Sequence, residues 1–165
     1  MSRRSACVLL FPVVFHYNVL TGVMVVTLRV RQEQLERIIA QARAEAPNEC
    51  CGMLAGHGEV VEEVFPGRNK DQSPRTYQMD PQDQLHAFRA IDEHGWALVG
   101  IYHSHPHTEA YPSRTDRERA LDMDGNPLFP ETQYLIVSLR DAAQPQVRAF
   151  RITERQVTEE EVVIA

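Results

Sequence analysis

Ala97-Leu98-Val99-Gly100-Ile101-Tyr102-His103-Ser104-His105-Pro106 opens as an unbroken apolar run and closes on two histidines and a proline. Residues 97–102 have the length and continuity of a strand buried on both faces. Residues 103–112, with Pro106 and Pro112, read as an irregular loop. Where the strand extends through His103 and His105, side-chain alternation turns both imidazoles to one face. Ser113 to about Leu121 then reads as a short helix. Ser113 stands at its N-cap and Asp116 three residues on, the spacing of a capping box.

Working outward, Val25 to Val30 is β-branched and short, a strand. From Gln32 to Ala46 the period becomes helical, with Leu35, Ile38, Ile39 and Ala42 on one face, and Pro47 ends it. Cys50 to Ala55 reads as a buried strand, and Gly56-His57-Gly58 turns it into a second, Val60 to Phe65. Residues 66–79 are polar, a loop with a short strand expected at Thr76 to Met79. Asp80-Pro81 starts a helix. Leu85, Phe88 and Ile91 form its apolar stripe, and Gly95 stops it. Downstream, Gln133 to Leu139, Val147 to Ile152 and Val157 to Ile164 read as strands. Strict βαβ alternation is missing, so the expected class is α+β, a mixed β-sheet flanked by helices.

At 165 residues the chain fits one domain and can bury about two thirds of its unfolded surface. Its 43% hydrophobic and 24% charged residues exclude a disordered or fibrous chain. A net charge of -6, with no block of five basic residues, excludes a binder of duplex nucleic acid. The three cysteines, Cys7, Cys50 and Cys51, are odd in number and two are adjacent. They make no disulfide framework and imply a reducing, cytoplasmic setting. Cys50 and Cys51 read as small buried hydrophobes. Arg3 and Arg4 precede an apolar run from Ala6 to Phe15, the outline of a signal peptide. However, Pro12 breaks the run, no A-x-A site follows, and the run is too short to span a bilayer. Residues 1–23 are therefore set aside as an N-terminal arm, and residues 24–165 are expected to form a single domain.

Two imidazoles at a strand end are half of a zinc site, and Asp116, on the first turn of the next helix, can be the third ligand. Three protein ligands with an open position make a hydrolase-type site. Such a site needs a base. Glu49, where the first helix hands over to an apolar strand, is the candidate, and partial desolvation there would raise its pKa. Ser113 can donate a hydrogen bond to an oxyanion.

Together these residues resemble the JAMM (MPN-plus) zinc metalloproteases. The family pattern is an upstream Glu, then His-[Ser/Thr]-His-Pro, six residues, Ser, two residues, Asp. His103-Ser104-His105-Pro106, residues 107–112, Ser113 and Asp116 match it without adjustment. Glu49-Cys50-Cys51-Gly52 looks like the upstream element of short bacterial members. The resemblance covers about residues 25–152. It implies a sheet flanked by helices with cytidine-deaminase-like layering. It also implies one Zn2+ per chain on His103, His105 and Asp116, Glu49 as general acid/base, and Ser113 at the oxyanion. The implied activity is peptide or isopeptide hydrolysis. Eukaryotic members cut after the C-terminal glycines of ubiquitin using insertions for which this chain has little room. The minimal bacterial type implies instead the Gly-Gly end of a ubiquitin-like sulfur-carrier protein, in cysteine or cofactor biosynthesis. A peptide, a peptidoglycan fragment or a protein conjugate are competing substrates. A site at a strand end beside an exposed sheet edge would suit an extended tail that adds to the sheet.

Two rival readings are weaker. A cupin-like pattern, His103-x-His105-x3-Glu109, lacks its flanking glycines, and two clear helices argue against a jelly roll. A metal-free MPN-type interaction module loses ligands that this chain keeps. His107 reads as a loop residue, Trp96 as packing, and Glu159 to Glu161 as a solvated strand edge that discourages aggregation.

Overall fold

The computed structural model describes residues 16–18, 23–25 and 27–165. Strands β1 (His16–Asn18) and β2 (Val23–Val25) pair antiparallel as a separate two-stranded ladder. The remaining elements run β3 (Thr27–Val30), α1 (Gln32–Glu45), β4 (Cys51–His57), β5 (Val60–Gly67), α2 (Pro81–His94), β6 (Ala97–His105), α3 (Arg114–Arg119), β7 (Gln133–Ser138), β8 (Gln146–Ile152) and β9 (Val157–Ile164). The class is α+β with a mixed sheet and helices against it. The strand expected over Val25 to Val30 is divided, since Val25 ends β2 and Thr27 opens β3. The apolar run Ala6 to Phe15 and Cys7 lie outside the described residues. No helix among the described residues is long and apolar enough to cross a membrane.

The seven strands follow the order β3-β5-β4-β6-β7-β8-β9 and close into a barrel. β3 completes the circle: it pairs in parallel with β9 over Thr27–Val30 and meets β5 at one register pair, Arg29 with Val60. Closure corrects two expectations. β6 pairs with β4 as far as His103 and with β7 as far as His105, so the histidine strand has no exposed edge for a peptide to extend. Glu159 to Glu161 are not on a sheet edge either, because β9 is paired to β8 and β3. Glu159 accepts two bonds from Arg148, at 2.8 and 2.6 Å, and buried Glu160 lies 3.3 Å from Arg151.

The helices follow their sequence signals. α1 buries Leu35, Ile38 and Ala42, with Ile39 partly covered, over the main core of Leu28, Val30, Leu54, Tyr102, Leu135 and Val137. At α2 the Asp80 carboxylate accepts from the N–H of Gln82 and Asp83, and Gly95 closes the helix at φ 66°. Its buried face differs from the expected stripe. Ala87 and Ile91 pack on Met53 and Ala55, while Leu85 is exposed. At 3.6 residues per turn Leu85 lies about 120° around the helix from Ile91, off the inward face. Trp96 packs against this second cluster and stacks on His94 at 4.3 Å. Between the helices, β4 runs on to His57, and the turn falls one residue later, at Gly58 with φ 57°. In place of a strand at Thr76 to Met79 there is one bridge, Asn69 with Met79. Gly52 admits no side chain, because a Cβ there would sit 2.3 Å from the Tyr102 ring.

Candidate metal centre

β6 does not end at Tyr102 but carries the ladder through His103, Ser104 and His105, which correctly belong to the strand and not to a loop. Ser104 N–H donates to Cys50 O at 3.1 Å, and Leu139 N–H donates to His105 O at 3.0 Å. Pro106, lacking an N–H, ends the strand. The Ser104 hydroxyl accepts from Cys50 N–H at 2.8 Å. That bond fastens the start of β4, and so Glu49, beside the two histidines across 54 positions of sequence.

Strand alternation brings His103 and His105 to one face, and α3 delivers Asp116 to the same point. His103 Nε2 lies 3.1 Å from His105 Nε2. Asp116 Oδ2 lies 3.4 Å from the first and 3.3 Å from the second. All three side chains are buried. His105 Nδ1 lies 2.8 Å from the Glu109 carbonyl. A proton on Nδ1 donates to that carbonyl and leaves the Nε2 lone pair aimed inward. Two imidazole nitrogens and a carboxylate oxygen converging in a dry site call for a cation. Tetrahedral zinc with bonds of about 2.0–2.2 Å would separate its ligand atoms by about 3.3–3.6 Å; the two edges to Asp116, 3.4 and 3.3 Å, match that figure and the edge between the histidines, 3.1 Å, is slightly shorter. A buried metal-binding group is therefore present at His103, His105 and Asp116.

The capping box and the ligand role coexist at Asp116. Ser113 Oγ accepts from Asp116 N–H at 3.2 Å, and Ser113 N–H donates to Asp116 Oδ2 at 2.7 Å. Because its oxygen is the acceptor in the cap, the Ser113 hydroxyl proton is free to be donated elsewhere. Burial alone would push the Asp116 carboxyl up. Its hydrogen bonds with His103 and His105, with the nearby His103 ring and Ser113, hold it well below the usual carboxylate range. Burial lowers the His103 pKa, whereas at His105 the bonds to Asp116 and the Glu109 carbonyl outweigh burial and raise it.

Glu49 is 3% exposed, with Oε1 4.0 Å from His105 Nε2 and Oε2 without a hydrogen-bond partner. Burial pushes its pKa up to about 7, with His105 pulling back and Asp116 pushing further. A carboxylate in the dry rim of the site, at reach of a group bound between the ligands, has the placement of a general base.

The remaining candidates take minor places. His107 is exposed on the loop after Pro106. Glu109 meets His105 through its backbone carbonyl, not its carboxylate, which removes the cupin-like pattern. Cys50 and Cys51 are free and buried, and burial pushes the Cys50 thiol up to about 12 and Cys51 higher still. They act as small hydrophobes. Sequence reasoning missed Tyr77, whose ring stacks on His103 at 4.5 Å and 22°, and Asn69, which grips the Glu49 carbonyl at 2.9 Å. Both sit in the polar stretch 66–79, whose one local signal was its density of turn residues.

The model of prokaryotic homologs of the JAB domain matches residues 31–153. The CysO-cysteine peptidase of Mycobacterium tuberculosis is 39% identical over 140 residues, covering 84% of this chain and 91% of that protein. A desampylase from Haloferax volcanii is 38% identical over 118 residues, covering 67% and 80%. Among solved structures, a protein from Desulfitobacterium hafniense superposes with a TM-score of 0.73 at 38% identity, covering 84% and 92%.

Proposed function

Since the chain belongs to the family of prokaryotic JAB-domain homologs, a JAMM-type metallopeptidase, we propose a particular substrate for it. It hydrolyses the amide bond that follows the C-terminal Gly-Gly of a ubiquitin-like sulfur-carrier protein, using one zinc ion per chain. The observation that carries the chemistry is the convergence of three buried donors at 3.1–3.4 Å, with buried Glu49 4.0 Å from one of them. The substrate class is supported by similarity to a CysO-cysteine peptidase and a desampylase over most of their lengths.

His103, His105 and Asp116 would hold the zinc, which as a Lewis acid polarises a carbonyl and makes water more acidic. Glu49 takes the proton from the attacking water and hands it to the leaving amine. Its burial suits both halves of that transfer, since a pKa near neutrality lets one group accept and then give. The Ser113 hydroxyl donates to the developing oxyanion. The Glu109 carbonyl keeps the His105 ring in the tautomer that presents Nε2 inward. A Gly-Gly tail carries no side chains that a buried site would have to accommodate, and its approach needs no sheet edge. A cytoplasmic setting agrees with the free thiols of Cys50 and Cys51.

The test is to incubate the zinc-loaded enzyme with a carrier bearing cysteine on its terminal glycine and to weigh the products. Release of free cysteine, abolished by a chelator and in Glu49→Gln, is expected. An intact adduct, while unrelated short peptides are cut readily, would reject the carrier substrate and keep the zinc peptidase.

A further inference from the structure

The stretch 66–79 reads from sequence as a loop with a short strand, yet its part from residue 68 on touches Glu49, His103 and the helix that carries Asp116. Glu49 N–H donates to Ser73 O at 2.9 Å, and Glu49 O accepts from Asn69 Nδ2 at 2.9 Å. Both backbone polar groups of Glu49 are thus held by this one segment. Asn69 is buried and spends its whole amide on the task. Nδ2 also donates to Thr76 O at 3.0 Å, and Oδ1 accepts from the N–H of Asp71 at 3.0 Å and of Gln78 at 3.1 Å. Asparagine offers two donors and two lone pairs on one short stem. Aspartate in its place would set an acceptor against two carbonyls. Inside the segment Gln72 stands at φ 45°, a left-handed conformation unfavourable for a residue with a side chain, so its surroundings must hold it.

The far side of the segment is fastened as well. The Tyr77 ring lies on His103. Arg119, in the last turn of α3, donates to the Asp71 carboxylate at 3.1 Å and to the Tyr77 carbonyl. The same helix carries Asp116. The segment therefore joins β4 through Asn69 and Ser73, β6 through Tyr77, and α3 through Arg119.

We propose that segment 68–79 is the positioning element of the general base: Asn69 aims Glu49, and the Asp71–Arg119 pair latches the segment to the helix that supplies Asp116. The inference rests on the reading of Glu49 as the base. Asn69 and Arg119 bond to backbone carbonyls and a carboxylate outside the donor set, so both are positioning residues that act through Glu49. The Arg119 side chain is half exposed, so its pairing with Asp71 contributes little stability. Its main effect is on geometry, where a displacement of about 1 Å can cost a reaction about 100-fold; the Arg119 charge also draws the Glu49 pKa down, against the push of Asp71.

Arg119→Ala, Arg119→Lys and Asn69→Ala are made in the native background and in Glu49→Gln. Each is zinc-loaded and followed by single turnover on the carrier–cysteine adduct, by KM, and by zinc retention against a chelator. Arg119→Ala is expected to lower kcat roughly tenfold and Asn69→Ala roughly 30- to 100-fold, with KM within about threefold and zinc retained. Arg119→Lys recovers part of the rate, because an ammonium still reaches Asp71. In Glu49→Gln the added changes are nearly silent, since no base remains to be aimed. If Asn69→Ala does not fold, the surface variant Arg119→Ala carries the test. An unchanged kcat in Arg119→Ala overturns the proposal, and so do equal rate losses in both backgrounds, which mark a merely structural role. Full activity of Glu49→Gln alone is a different outcome: it removes the base assignment, and the proposal falls with it.

Discussion

The histidines and the carboxylates of the centre are held in different ways. His103 and His105 ride on β6, whose neighbours β4 and β7 bond to it through the residues of the site. Moving them means breaking paired strands in the middle of a closed barrel. Glu49 and Asp116 sit just outside the strands, at the start of β4 and in the first turn of a six-residue helix. They depend on a few individual bonds with Asn69, Ser73, Ser104 and Ser113, each worth about 1 kcal/mol. The difference separates two tasks. In the proposed reading, the ladder would supply a fixed pair of metal ligands, and the less firmly anchored half would supply the third ligand and the proton chemistry. Turnover should then be separable from metal retention: changes at Glu49 should lose the first and keep the second, whereas changes at the three metal-binding side chains should lose both.

The largest effect tests the division at the metal itself. His103→Ala and Asp116→Ala should each strip most of the zinc and abolish activity, read by metal analysis of the purified proteins. Asp116→Ala should also cost about 1 kcal/mol in a thermal melt, because the Asp116 side chain accepts from the N-cap backbone of α3. Full zinc content in both variants would reject this ligand set.

Glu49→Gln breaks the other half. Zinc and fold should be kept while kcat falls by roughly two to four orders of magnitude. The pH profile sharpens the assignment. A base must be ionised, so activity rises with pH through the Glu49 pKa, which burial lifts from 4.5 to about 7. A bound cation favours the ionised form and draws it back down, so the acidic limb of kcat/KM should fall between those values and vanish in Glu49→Gln. An acidic limb that survives the substitution unchanged would belong to another group.

Ser113→Ala gives the smallest of the three effects. The rate should fall by about two orders of magnitude or somewhat more, the worth of one oxyanion donor. Melting should report about 1 kcal/mol for the lost cap. A normal rate with a lowered melting temperature would leave Ser113 as a cap alone.

Local signals carried much of this structure. The helical period of Leu35, Ile38 and Ala42, the Asp80-Pro81 start and the Gly95 stop each act within a few residues, and the elements formed where those signals stand. The candidate metal ligands were legible for the same reason: strand alternation aligns His103 with His105, and a helix start beginning at Ser113 turns Asp116 toward them. Other features depend on residues far apart in the chain. The barrel closes through β3 and β9, at opposite ends of the described chain, and that closure removed the free edge beside β6. Leu85 faces solvent because it stands about 120° around α2 from Ile91, and which of those faces turns inward is decided by the packing of Ala87 and Ile91 on Met53 and Ala55. Glu49 reaches the histidines because the β4–β6 ladder, the Ser104 bond to Cys50 and the grip of Asn69 and Ser73 together place it there. Burial on that scale, and the rise in pKa it causes, is decided by the elements that close over a residue. Segment 68–79 shows no hydrophobic period, and its order comes from side-chain bonds to three separate elements, a property that only the assembled fold contains.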